Sequence, residues 1–187
     1  MKTKTYSIRG TVSLLMHNGR LANPLDKYTK ALKKVSGKGK KTEEDHEAMA
    51  NIEARASLYY NEADGYFLPG ENVEACLLSA AKLQRLGTTL KRGARVVDMN
   101  CPLSTKAPND PDKLAQNPDF LYQKLVKVGT SRVVRTRPIF NEWSTTFTIG
   151  YLPDQIDEES IDRIVKDAGE LIGLGDWRPR FGLFEIV

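Results

Sequence analysis

The chain has 187 residues, with 28 Lys and Arg against 24 Asp and Glu, for a net charge of +4. That length suits one domain with insertions, or two small lobes, around a sizeable core. No apolar run approaches the ~18 residues that span a bilayer, and the polar start is unlike a signal peptide. The lone Cys76 and Cys101 have no zinc-like spacing; they read as reduced thiols, so a cytoplasmic protein with no membrane partner is expected.

Tyr6 to Met16 reads as a first strand, and His17-Asn18-Gly19-Arg20 as its turn-like exit. Asn23 to Asp26 reads as a cap for a short basic helix through Val35, followed by the flexible basic loop Ser36 to Lys41. Thr42 then fits an N-cap with acids behind it, opening a helix to about Tyr60 with Met49, Ile52, Ala56 and Tyr59 at helical spacing. Tyr66 to Leu68 is a short strand stopped by Pro69-Gly70, and a helix follows from Glu71 to about Leu86. Residues 88 to 135 look irregular, with Pro, Asn and Asp clustered at 102 to 118 and flanked by short strand-like runs. Val133 to Ile139 and Ser144 to Tyr151 read as strands joined by the turn Phe140 to Trp143. Ile156 to Ile172 is the clearest helix, and Phe181 to Val187 closes the chain as a strand. The order is close to βαββαβ, which predicts an α+β, ferredoxin-like (RRM-like) core with a helical insertion and a β/irregular insertion. RNA-recognition modules of that plan use the sheet face that helices leave open.

Three blocks of positive charge carry no acid: seven lysines in 27–41, then Lys82 to Arg95, then Lys124 to Arg137. Folded together they make a phosphate track; separately each is a solvated loop. In a strand, Arg135 and Arg137 share one face about 7 Å apart, near the spacing of successive phosphates. The competing reading is an edge strand guarded by charge and ended by Pro138. The tail from Gly173 to Val187 combines glycines at 173, 175 and 182 with Trp177, Arg178 and Arg180. Glycines expose backbone N–H groups, arginines fork onto phosphate, and aromatics stack bases. The same residues also suit a tight helix-to-strand connection with a glycine cap and a packed Trp.

His17 stands beside Asn18-Gly19-Arg20, where it could stack on a base or donate to phosphate, whereas His46 lies among acids and reads as surface. Neither has a partner Cys, so no metal site is expected. No nucleophile elbow, phosphate loop or dinucleotide fingerprint occurs, and no cofactor is expected. Asp176 and His17 are the only pair suggestive of catalysis, and an Asp beside Gly is commonly a turn former.

Three segments resemble the RAMP superfamily of CRISPR-associated proteins, especially its guide-RNA-coating backbone subunits. Ile8 to Gly19 looks like the opening strand and turn, Phe67 to Ala81 like the proline-glycine entry to the first helix, and Ile172 to Phe184 like the final glycine-rich loop. Glu71-Asn72 and Glu74-Ala75 stand where the family often has Ser-Ser and Lys-Gly, and the loop has a Trp-Arg-Pro-Arg core. A stand-alone phage or prophage relative therefore fits as well as a complex subunit. The resemblance implies one RAMP-like domain over 1–187, with insertions at about 20–61 and 88–131. It implies a protein that binds single-stranded RNA in preference to DNA; some RAMP relatives cut RNA, but with only Asp176 and His17 to suggest it here, a non-catalytic protein is expected. Such a protein oligomerises along the strand as a homo-oligomer or filament, with other effector-complex subunits as further partners. Contacts would come from Arg20, Lys33, Lys34, Lys38, Lys40, Lys41, Arg132, Arg135, Arg137, Arg178 and Arg180. Gly173 and Gly175 would admit the backbone, and His17 and Trp177 would orient bases. Two alternatives remain: a phage-encoded protein that mimics or blocks a CRISPR complex, and a metal-independent ribonuclease working through His17.

Overall fold

The computed structural model describes the backbone of residues 1–187 and every side chain except those of Val128 and Ser131. In chain order the elements are β1 (Lys2–Gly10), β2 (Leu14–Leu15), a 3-10 turn (Gly19–Ala22), α1 (Lys27–Ser36), α2 (Glu43–Ser57), β3 (Tyr60–Asn61), β4 (Gly65–Pro69), α3 (Gly70–Leu83) and α4 (Gly87–Gly93). Then come β5 (Ala94–Val96), β6 (Asn100–Thr105), α5 (Pro111–Ala115), a 3-10 turn (Pro118–Phe120), β7 (Leu121–Val128), β8 (Ser131–Phe140), β9 (Trp143–Tyr151), α6 (Glu158–Asp167) with a π turn (Ala168–Ile172), and β10 (Phe184–Ile186). The fold is α+β with mostly antiparallel sheets. Among the described residues no helix is long and apolar enough to cross a membrane.

The chain forms two compact units. Unit 1 comprises residues 1–14, 60–106 and 141–187; unit 2 comprises 15–59 and 107–140. Segment 88–106, expected as part of an irregular insertion, is regular: it forms α4, β5 and β6 within unit 1, and Pro102, expected in the Pro/Asn/Asp cluster, lies within β6 opposite Phe67. The strands expected to pair through the Phe140–Trp143 turn do not pair. β8 belongs to the sheet β2-β8-β7, while β9 sits between β1 and β6 in the larger sheet.

In unit 1 the strand order is β10-β1-β9-β6-β4-β3, with β5 also pairing β9. β5 and β6 meet successive stretches of β9, so 94–105 behaves as one interrupted strand. The first strand ends at Gly10 rather than Met16. A Cβ at Gly10 would lie 2.1 Å from the Trp143 indole nitrogen, which donates to the Val12 carbonyl at 2.9 Å. Tyr6, Ile8, Phe147 and Ile149 are buried on one sheet face. There Lys4 reaches Glu158 at 2.8 Å and Asp162 at 2.7 Å, while the Tyr6 and Tyr151 hydroxyls donate to Asp162 and Glu158. These bonds fix α6 over β1 and β9. Burial pushes the Asp162 carboxyl up, but hydrogen bonds from Lys4 and Tyr6 outweigh it and leave the group below its ordinary value. The other face of β1 and β9 carries Thr5 bonded to Thr148 and Ser7 bonded to Thr146. These central strands offer hydroxyls there instead of the aromatic rings on which an RNA-recognition sheet stacks bases.

In unit 2, Asp26 caps α1, and Thr42 with Asp45 closes a complete capping box at the start of α2. Met16, Ala54, Ala56, Leu58, Leu114 and Phe140 are buried. Beyond the short β2, β8 has a carboxylate in place of a strand: Glu53, 3% exposed, accepts the Thr136 N–H at 2.9 Å.

Candidate nucleic-acid interface

Unit 2 holds most of the chain's positive charge. It carries 15 Lys and Arg against nine Asp and Glu, a net +6, whereas unit 1 carries 13 against 15. Its α1, α2 and the β7–β8 hairpin enclose an open groove of about 1520 Å³. Lys33 from α1, Lys41 from the following loop, and Arg132, Arg135 and Arg137 from β8 line it, together with His17. Folding therefore gathers residues separated by up to 120 positions in the sequence, and one sheet strand and one helix supply most of the cations. Glu43, Glu47 and Glu53 also line the groove, leaving cations in excess. Between the charges lie Leu32, Met49, Leu125 and Val134. Leu125 and Val134 face each other across the hairpin and are 53% and 54% exposed, an apolar strip that unpaired bases could cover.

The expected roles of several residues change. Arg135 and Arg137 lie two apart on β8, opposite Lys124 and Tyr122, as alternation requires. Arg135, however, donates to the buried Glu53 at 2.5 Å. Removing Glu53 from water without a partner would be costly, so Arg135 is a structural ion-pair partner before it is a phosphate ligand. Arg137 bonds the Thr136 carbonyl at 3.2 Å. Lys38 is likewise committed, to Asp45 at 2.5 Å, and Lys41 donates to the Lys38 carbonyl at 3.0 Å, which folds the expected flexible loop against the start of α2. The Lys38 ammonium, then the Thr42 N–H, hold the Asp45 carboxyl below its ordinary range. Lys34 and Lys40 are exposed and Arg132 is exposed within the groove, free of such pairing among the described residues. Arg20 donates to the Leu58 carbonyl at 3.2 Å.

His46, expected as a plain surface residue, lines the same groove as His17. The two sit at opposite ends of α2: His46 is in its first turn, and the residue after His17 bonds Ser57 at the last. Eleven residues at 1.5 Å each put roughly 16 Å of helix between them. That suits successive contacts along a strand better than an acid–base pair at one phosphodiester. No group of three His, Cys, Asp or Glu among the described residues is placed to hold a metal ion.

The glycine-rich tail belongs to unit 1, so the expected platform joining it to β8 in one sheet does not form. Gly173 is a helix cap: its N–H donates to the Ala168 carbonyl, its φ is 78°, and its own carbonyl accepts from the Cys76 thiol at 3.1 Å. It is buried and not open to a strand. A Cβ on Gly182, also at φ 78°, would come within 1.8 Å of the Leu174 carbonyl oxygen. The loop is thus closed on itself, with Leu174 N–H donating to Gly182 and Gly182 N–H to Ser13. Gly175 is at φ 78°, half-buried. Trp177 is half-buried at 6.5 Å from the Phe181 ring, closer to the packing role than to a free stacking surface. Arg178 and Arg180 are exposed at its tip, the former beside Cys76, whose thiol burial pushes up to about 12.

Sequence reasoning missed Glu53 and the apolar strip. Glu53 lies beside Ile52 and Ala56 in a helix with many exposed acids, and only its burial distinguishes it from them. No protein-family model matches the chain, and no curated protein matches it.

Proposed function

We propose that this chain is a RAMP-like, non-catalytic protein that holds single-stranded nucleic acid, RNA in preference to DNA, in the unit 2 groove and assembles along the strand. The observation that carries the reading is the convergence of Lys33, Lys41 and Arg132 around one open groove in a unit of net +6. Phosphates take the cationic rim and bases lie against Leu125, Val134 and Met49, an arrangement that a paired duplex, with its bases turned inward, does not fit. The finer reading of unit 1 as a ferredoxin-like core is supported by the antiparallel order β10-β1-β9-β6, with α3 and α6 on the two crossovers. The sheet's hydroxyl-bearing face has no part in the proposal.

Purified protein titrated into end-labelled single-stranded RNA, single-stranded DNA and duplex tests it by anisotropy, followed by a denaturing gel. Saturable binding of intact single strands, weaker on duplex, is expected. Shortened strands would replace the reading with a ribonuclease, and the absence of any binding would leave a protein-binding role.

A further inference from the structure

Apart from the groove, unit 2 holds a second convergence of cations, around one aromatic ring. The Arg20 guanidinium lies 5.7 Å, the Lys27 ammonium 5.0 Å and the Arg55 guanidinium 5.7 Å from the centre of the Tyr28 ring. None of these four residues lines the groove. Three elements place them: the 3-10 turn at Gly19–Ala22, the first turn of α1, and the last turn of α2. The ring's negative face attracts each of these cations, and one ring shared by three of them leaves an excess of positive charge.

The nearby carboxylates are already engaged. Asp112 pairs with Arg55 at 2.8 Å, and Asp26 accepts the Tyr28 N–H as the cap of α1. Arg20 and Lys27 have no carboxylate partner among the described residues. Arg20 is half-buried, and the Arg55 side chain is 20% exposed, so these heads are held in place and are not waving in solvent. Lys27 and Tyr28 open α1, whose amino end adds partial positive charge beside them. Such a cluster is matched by a compact anion carrying more than one negative charge. An internal phosphodiester brings one; a phosphomonoester at a strand end brings about 1.5 to 2 and three acceptor oxygens.

We propose that Arg20, Lys27 and Arg55, gathered on Tyr28, form a site for a terminal phosphate. It rests on the reading above in that the phosphate is one end of the strand lying in the groove.

The experiment compares one RNA sequence bearing a 5′-phosphate, a 3′-phosphate or only hydroxyl ends, and adds inorganic phosphate as a separate probe followed through the Tyr28 ring resonances. About tenfold tighter binding of one phosphorylated end over the hydroxyl strand is expected, with loss of that preference in Lys27→Gln and Arg20→Gln. Lys27 is exposed, so its variant tests the site without touching the core. Equal affinity for all three strands overturns this inference and leaves the groove reading standing. If no strand binds, the groove reading fails. Inorganic phosphate then decides the site alone: saturable Tyr28 shifts, lost in Lys27→Gln, sustain it, and unmoved resonances overturn it.

Discussion

Arg135 and Arg132 separate two jobs that a basic strand can do. Arg135 neutralises Glu53, which is 3% exposed and also takes the Thr136 N–H. Arg132 is exposed, lines the groove and has no carboxylate partner among the described residues. Arg135→Gln should therefore cost roughly 3 kcal/mol in urea unfolding, since it strands the buried Glu53 carboxylate. Arg132→Gln should leave the unfolding midpoint within about 0.5 kcal/mol and weaken strand binding instead. Equal effects of the two on stability would contradict this division. Titration gives a second check. Asp45, Glu158 and Asp162 all lie below their ordinary carboxylate values, chiefly through Lys38 for Asp45 and Lys4 for Glu158, and through Lys4 and Tyr6 against burial for Asp162. Groups with depressed folded-state values contribute stability above their unfolded values, near pH 4, and lose it as pH falls through the folded ones. The urea midpoint should drop between about pH 5 and pH 2, and less steeply in Lys4→Met. A parallel profile in that variant would remove the Lys4 network from the account.

Elements with strong local signals could be read from the sequence, and those decided by distant partners could not. Thr42 followed by three acids marks the start of α2, and the capping box is there; Thr42→Ala should cost about 1 kcal/mol, read by thermal unfolding. Asp157 and the apolar spacing of Ile161, Ile164 and Val165 likewise mark α6. The end of β1 could not be read, because Gly10 is required by the Trp143 indole more than 130 residues away. Gly10→Ala should drop the melting temperature by well over 5 °C, as a Cβ would overlap that ring; an unchanged melting temperature would show the indole is free to move. The separation of β8 from β9 was hidden for a similar reason. Two β-rich runs around a short turn look like a hairpin, but β8 pairs with β7 just before it, and β9 pairs with β1, more than 130 residues away. In the tail, the glycine signal was real but its use is internal: Gly173 and Gly182 let the loop close on itself.

At the scale of the whole chain, the net charge of +4 conceals a division into +6 and −2 that follows the two units. Charge blocks could be located in the sequence; that 27–41 and 124–137 gather around one groove while 82–95 falls in unit 1 could not, because α1, its loop and β8 are joined only by packing within unit 2. The proposed function turns on that gathering. Its most direct test is the salt dependence of affinity for single-stranded RNA, measured for the wild type and for the triple variant Lys33→Gln, Lys41→Gln, Arg132→Gln. Each phosphate contact on a single strand contributes about 0.7 to the slope of log affinity against log salt, so the variant's slope should be shallower by about 2, with circular dichroism unchanged. A folded variant with the wild-type slope and affinity would show that the groove is not where the strand binds.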